Sequence, residues 1–412
     1  MTEAAPSARP AILVVHARYR QRAGEDAAVD AEIELLRTHG HRVGVLLADN
    51  ESIDDRTTTG RLRAAAEALW SPRASRRVRR LVRDVEPAIV HVHNTFPVLS
   101  PSTYRALVGW PGGVVQSVHN YRFACPSANF FRDGRPCHDC LGRSLAWPGI
   151  IHACYRGSRA ASAVAAGTIA TRRLTQAWGR VDRFVAPSSA VARMLAAAGI
   201  GADRVRVKPN FVAQDPGVGR SGDAFLFAGR LTVEKGVDTL LEAWSMLVDP
   251  PPLRIAGAGP LEVLVREVAG RDLSVTYLGE LGPDAVREEM RGAAALVFPS
   301  RWPEPFGLSV IEAFAAGTPV LAARAGAPAE LIEQGSTGRL FEPSDPAALA
   351  DAVDRARRRP GELAEMGIAA RTRYLERYTA EANYSALVAI YEDVLTERAR
   401  FAGSVPRARG RA

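Results

Sequence analysis

Arg301-Trp302-Pro303-Glu304-Pro305-Phe306-Gly307-Leu308-Ser309-Val310-Ile311-Glu312 sets two carboxylates eight residues apart around a Gly-bearing bend. Just upstream, Ala294-Ala295-Leu296-Val297-Phe298-Pro299 reads as a short buried strand. Pro303 and Pro305 keep Glu304 out of a regular helix. Residues 308–316 follow a helical pattern, and Gly317 can end it. Glu304 is therefore expected on the loop after a strand, with Glu312 about one turn inside the next helix. The amides of Gly307, Leu308 and Ser309 lie at that helix start, where a phosphate is favoured. The segment predicts a diphosphate on the helix end and one Glu towards each hydroxyl-rich flank of the ligand. The plain alternative is two solvated carboxylates. Against it, Glu312 lies within the apolar run 310–320.

Working outward, short apolar strands alternate with helix-length segments. Strands are expected at 12–15, 42–47, 88–92, 113–118 and 183–186, with a helix at about 25–39. Pro209, Pro216, Gly217, Gly219 and Gly222 then mark a linker. The alternation restarts with strands at 224–228, 253–256, 275–278, 295–298 and 319–323, the last clear one. Helices are expected at 237–248, 346–357 and 380–401. This is the grammar of two doubly wound parallel α/β sheets, Rossmann-like, facing a deep cleft. The domains divide as residues 1–213, with a Cys-bearing insertion at 121–158, and residues 214–378. A helix from 379 should pack back on the first domain, and residues 1–10 and 402–412 are expected to be disordered.

The chain has 412 residues, 47% hydrophobic and 24% charged, an ordinary globular balance. No apolar run approaches membrane-span length, and the apolar run at 11–15 is too short for a signal peptide, so a cytoplasmic location is expected. Net charge is +8, yet Lys208 and Lys235 are the sole lysines beside 51 arginines. A lysine in such a chain stands out, since its rotatable ammonium is not interchangeable with a guanidinium. Six arginines crowd residues 73–83. They suit either a solvated helix face or a peripheral contact with a membrane surface. No aromatic interleaving or DNA-binding motif accompanies them, so nucleic acid is not an expected partner.

Gly229-Arg230-Leu231-Thr232-Val233-Glu234-Lys235-Gly236 follows its strand directly. Gly229 permits close backbone approach, and Arg230 and Lys235 are expected to converge on a diphosphate. No Asp-x-Asp occurs anywhere, so a catalytic divalent metal held by that motif is not expected. Two cations and a helix terminus can stabilise a leaving diphosphate instead. Gly257-Ala258-Gly259 lacks the third Gly of a dinucleotide fingerprint and reads as a strand-to-helix turn.

Glu304-x7-Glu312 with Pro305-Phe306-Gly307, preceded by Gly229-Arg230-x4-Lys235-Gly236, resembles glycosyltransferase family 4, over nearly the whole chain. That resemblance implies the GT-B fold and a retaining transfer from a nucleotide-diphosphate sugar, UDP- or GDP-linked. It implies that Glu304 contacts the donor sugar, Glu312 the ribose, Arg230 and Lys235 the diphosphate, and Gly279-Glu280-Leu281 the base. Front-face attack would need no protein base, because the leaving phosphate takes the acceptor proton. His119 resembles the family's cleft His, and the loop 18–25 its Gly-rich first loop. Here Ala23-Gly24 replaces a pair of glycines, which leaves backbone contact at residue 23 in question.

Cys125, Cys137, Cys140 and Cys154 fall within thirty residues. Cys137-His138-Asp139-Cys140 has the spacing of a zinc knuckle, and the outer pair would complete a structural zinc site of four cysteines. Four buried reduced thiols are the equal alternative. The segment begins six residues after His119 and should overhang the acceptor side of the cleft. The acceptor itself is not legible; the basic face permits a lipid-linked phosphate, and a soluble acceptor fits nearly as well. Two other function classes stay open on sequence: a non-catalytic sugar-nucleotide-binding module, and a GT-B epimerase or phosphorylase.

Overall fold

The computed structural model describes residues 9–20, 24–50, 57–220 and 222–404. The first domain contains β1 (Ile12–Arg18), β2 (Val43–Asp49), β3 (Ile89–Val92) and β4 (Gly113–Ser117). A small hairpin follows, β5 (Phe131–Arg132) and β6 (Arg135–Pro136), then β7 (Arg183–Ala186) and β8 (Val205–Val207). The sheet runs β2-β1-β3-β4-β7-β8, all parallel. The second domain contains β9 (Phe225–Ala228), β10 (Leu253–Ala256), β11 (Val275–Gly279), β12 (Ala295–Phe298), β13 (Val320–Ala323) and β14 (Gly338–Phe341). Its order is β11-β10-β9-β12-β13-β14, again parallel. Strands such as Phe225-Leu226-Phe227 are buried on both faces, which is why they read as continuous apolar runs.

The fold is thus two parallel-sheet α/β domains. Strand order reverses between β1 and β3 in one sheet and between β9 and β12 in the other. Ligands of such sheets bind beyond the carboxyl ends of the strands at these reversals. The loops leaving β9 and β12 are the ones that carry Lys235 and Glu304.

Several elements differ from the sequence expectations. β8 and β14 are edge strands of three and four residues, too short to stand out as patterns. The helix Pro360–Arg377 was not anticipated, and Val237–Ser245 ends before 248. The basic stretch forms Pro72–Val85, capped by Ser71, whose hydroxyl accepts from the Ala74 amide at 3.3 Å. Ala74 and Val78 bury in the first core while its arginines face outward, so its apolar face is already occupied. The helix Ala380–Ser404 returns to the first sheet. Leu387, Ile390, Tyr391 and Val394 pack with Ile12, Val14, Ile89 and Val115. Residues 1–8 and 405–412, with the expectation of disorder there, lie outside the described residues.

The two domains touch along the cleft floor. Trp302 of the second domain is buried in the first domain's core with Tyr121, Phe123 and Phe130. Ser188 donates to the Pro305 carbonyl at 2.7 Å, and Arg193 pairs with Glu330 at 2.7 Å.

Candidate active site

Glu304 is 5% exposed, and a buried carboxylate needs donors. It has three, from three directions. Ser300 Oγ donates at 2.8 Å and Trp302 Nε1 at 2.7 Å, and Lys235 Nζ forms the ion pair. All three converge on Oε1, while Oε2 receives none of them. The ammonium also sits 5.6 Å from the ring centres of both Phe298 and Trp302. The backbone is fixed from the far side: the Ala327 amide donates to the Glu304 carbonyl at 2.9 Å. Gly326, at φ +61°, lies so close that a Cβ there would fall 2.4 Å from the Glu304 nitrogen. Trp302, Ser300 and Gly326 were not foreseen from sequence.

Arg230 does not join Lys235. Its side chain is 68% exposed and lies 3.6 Å from Glu234. Phe306, expected at the donor, is a core residue, 3% exposed and packed near Tyr378. Gly257 packs on the Gly229 loop; a Cβ would fall 1.9 Å from the Gly229 carbonyl oxygen. That contact explains the Gly-Ala-Gly turn without a dinucleotide. Glu280 and Leu281 leave β11 at the same sheet edge, exposed and half-buried respectively.

The helix Leu308–Ala316 starts from Gly307, at φ +98°, with no side-chain cap. Its first amides are thus left for a ligand. Gly24 opens the helix Gly24–Thr38 across the cleft, and a Cβ on it would lie 3.1 Å from Leu308. Two helix N-termini therefore approach one another, the first carrying Glu25 and Asp26 in its opening turn. Ala23 lies outside the described residues. Ser309 and Glu312 continue the second-domain helix, both partly exposed. Burial pushes the Glu312 carboxyl above the usual range, with Arg287 opposing.

On the first-domain wall, His119 follows β4 and is half-buried. Its Nε2 meets His93 Nδ1 at 2.9 Å, and the rings stack at 5.2 Å. Only Nδ1 of His119 remains for a ligand. Burial holds His119 below the ordinary histidine range and His93 well below it, so the pair is neutral at pH 7. Beneath lies a buried network: His93 and His91 approach Glu32 at 3.5 and 3.2 Å, and Lys208 Nζ meets Glu32 at 3.0 Å. Lys208 also donates to Asn383 at 3.0 Å. This lysine is a buried tie between domain, linker and final helix, not a cleft group. Asn120 donates to Glu25 at 2.9 Å, holding the first helix start to β4.

A cavity of about 50 Å³ opens beside His119, lined among others by Thr95, Phe96, Arg122 and Arg172. Neither arginine has a carboxylate partner among the described residues. Arg172 is 6% exposed, and its buried Nε has no partner. Burial pushes its guanidinium below the usual arginine range, and Arg122 adds repulsion. The four cysteines ring a separate, smaller cavity nearby.

Two family models together match residues 28–373. Glycosyltransferase Family 4 matches residues 28–215 and Glycosyl transferases group 1 matches 214–373. The chain belongs to the group 1, family 4 glycosyltransferases. This transferase is 27% identical to the phosphatidyl-myo-inositol mannosyltransferase of Mycobacterium leprae, over 88% of its own length and 91% of the relative's. It is 33% identical to the D-inositol 3-phosphate glycosyltransferase of Streptomyces scabiei, over 49% of each chain. The chain thus spans about half the length of that second relative. Solved neighbours include HepE of Anabaena in complex with UDP, at TM-score 0.67, 16% identity and coverage of 93% and 100%. The sucrose-phosphate synthase of Thermosynechococcus elongatus aligns at TM-score 0.69, 17% identity and coverage of 94% and 100%. These neighbours share the GT-B fold of this glycosyltransferase.

Proposed function

We propose that this glycosyltransferase moves a sugar with retention from a nucleoside-diphosphate donor to a hydroxyl of a phosphate-bearing acceptor. One arrangement carries the donor half: Lys235, held on Glu304, lies in the loop opposite an uncapped helix start that faces Gly24. The diphosphate binds the Leu308 and Ser309 amides, and Lys235 supplies the nearby cation. Glu312 accepts from the ribose. Glu304 Oε1 is occupied by three donors, so this carboxylate is a poor nucleophile and a poor base. Its Oε2 accepts hydrogen bonds from sugar hydroxyls as the anomeric centre becomes electron-poor. That division of labour supports front-face attack, with the leaving phosphate taking the acceptor proton and no catalytic divalent metal. His119 Nδ1 orients a sugar hydroxyl from the other wall.

The two arginines of the His119 cavity, which have no carboxylate partner among the described residues, support the acceptor half. Two guanidiniums without acids, one buried, fit an acceptor phosphate. The names of the two relatives, each with a phosphorylated inositol acceptor, agree in kind. The outward arginines of Pro72–Val85 fit a peripheral, salt-sensitive contact with anionic lipid. No helix among the described residues is long and apolar enough to cross a membrane.

A thermal-shift panel of UDP, GDP, ADP and dTDP tests the donor half. At a hundred times its Kd the right nucleotide should stabilise the fold by about 2.7 kcal/mol. UDP and GDP come first, since Anabaena HepE was solved with UDP and with UDP-glucose and the mycobacterial relative is a mannosyltransferase. No shift from any nucleotide would refute the donor site. Inverted anomeric configuration in the product would refute retention.

A further inference from the structure

We propose that Cys125, Cys137, Cys140 and Cys154 hold one structural zinc ion, which braces the 121–158 insertion against Trp302. They are the chain's only cysteines, all are unpaired, and all line one cavity of about 10 Å³. They arrive from three separate pieces of chain. Cys125 comes from the turn after β4, Cys137 and Cys140 from the segment after the β5–β6 hairpin, and Cys154 from the turn beyond Trp147–Ile151.

Beyond Tyr121, Phe123 and Phe130, which join the first domain's core, the segment has little regular structure to hold it. Between β4 and the helix Arg159–Leu174 it forms only two-residue strands and a five-residue helix. Ala128, Phe130, Asp133, Ala153 and Arg156 all take positive φ. Around Cys140 the apolar cluster is Cys140 and Ala146 with Ala166 and Ile169 of the following helix, and Ile150 against it. Ordering costs about 1–2 kcal/mol per residue, and so small a cluster offsets little of it for the residues beyond Phe131. Metal binding offsets more.

The charges also fit. A zinc ion with four thiolates carries two net negative charges. Arg132 lines the same cavity. Asp139 pins it at 3.0 Å. Each ligand thiol would lose its proton to water on binding, so affinity should fall in acid. The sulfurs line the cavity wall rather than meet. Among the described residues, the trio of ligand atoms within 4.8 Å of one another is Glu32, His91 and His93, where Lys208 already supplies the cation. Side-chain rotation must therefore bring the sulfurs to their Zn–S distance of about 2.3 Å.

A short path leads to the active site, and this half rests on the role proposed for Glu304. The Cys137 amide donates to the Phe130 carbonyl at 2.7 Å, and the Phe130 ring lies 4.8 Å from Tyr121. Tyr121 meets Trp302 edge-on at 6.5 Å, and Trp302 donates to Glu304.

Elemental analysis of reduced, full-length protein should find about one zinc per chain. Cys137→Ser/Cys140→Ser should lose it, whereas Cys137→His, a competent ligand, should keep it. Loss of zinc should open residues 121–158 to protease. If the serine variant fails to fold, cobalt titration of the native chain reads the site alone, through thiolate-to-cobalt charge transfer. Folded, reduced protein that takes up neither zinc nor cobalt would overturn the proposal. So would peptide mapping that finds these cysteines in disulfides. Both readouts are independent of turnover, so they stand apart from the proposed reaction. Zinc loss with unchanged turnover would overturn the bracing half alone.

Discussion

Gly326→Ala should disable catalysis without touching the ligand. A Cβ at 326 falls 2.4 Å from the Glu304 nitrogen, 2.5 Å from its oxygen and 2.6 Å from the Pro303 carbonyl carbon. All three are backbone atoms, so no side chain can rotate away. Restoring ordinary contact requires the loop to move by about 1 Å. Glu304 Oε1 is held on the opposite side by Lys235, Ser300 and Trp302, so the shift must break or stretch those bonds. A misplacement of about 1 Å costs roughly 100-fold in rate, about 2.7 kcal/mol of barrier. The left-handed backbone adds about 1–2 kcal/mol of lost stability. Gly335→Ala separates the two effects. Gly335 has φ +80° and open space around its missing Cβ, so alanine there incurs the backbone strain alone. Donor-saturated kinetics should therefore show kcat down about 100-fold for Gly326→Ala and near normal for Gly335→Ala. Both should show a lowered Tm. Nucleotide-induced stabilisation should survive in both, since Glu312 and the Leu308 helix start are not displaced. A folded Gly326→Ala protein with kcat within about threefold of wild type would refute the positional role of the Glu304 loop.

Four further outcomes follow from the same geometry. Trp302→Phe keeps the ring in the interdomain contact but deletes a hydrogen bond to a carboxylate, worth about 1.5–3 kcal/mol; kcat should fall about 10- to 100-fold, and an unchanged kcat would show that this bond does not position Glu304. Glu312→Ala should raise the nucleotide Kd with kcat at saturation retained, measured by titration and initial rates; unaltered nucleotide affinity would remove Glu312 from the ribose site. Arg122→Gln should raise the acceptor KM for a phosphorylated acceptor and leave the donor KM unchanged; an equal rise for both would point to a distorted fold. His93 and His119 are held below the ordinary histidine range by burial, so the unfolded chain binds more protons on the acid side of about pH 6.5. Their stabilisation is complete above that pH and is lost as pH falls below it. Urea midpoints that stay flat from pH 7.5 to 5 would contradict the neutral pair.

The legible part of this site was the part encoded locally. Pro303, Pro305, Gly307 and the apolar run after them fix a loop and a helix start within a dozen residues, so Glu304, Glu312 and the uncapped amides at the helix start could be placed. The two lysines stood out against 51 arginines, yet their fates diverged. Lys235 reaches Glu304 because the reversal between β9 and β12 brings their loops together. Lys208 is engaged by Glu32 and Asn383, 176 and 175 residues away, where no local pattern reports it. His91 on β3 and His93 just beyond it have the two-residue spacing that puts both on one side, and both turn to buried Glu32. Arg230 lies exposed beside Glu234, a pairing that the spacing to Lys235 does not report. Phe306 was misplaced because an aromatic beside a functional loop is as well suited to the core beneath it. Trp302 shows the limit most clearly. Its neighbours in sequence suggested the Glu304 loop, but its partners are Tyr121, Phe123 and Phe130, some 170 to 180 residues earlier. The carboxylate of one domain is thus oriented by a side chain seated in the other.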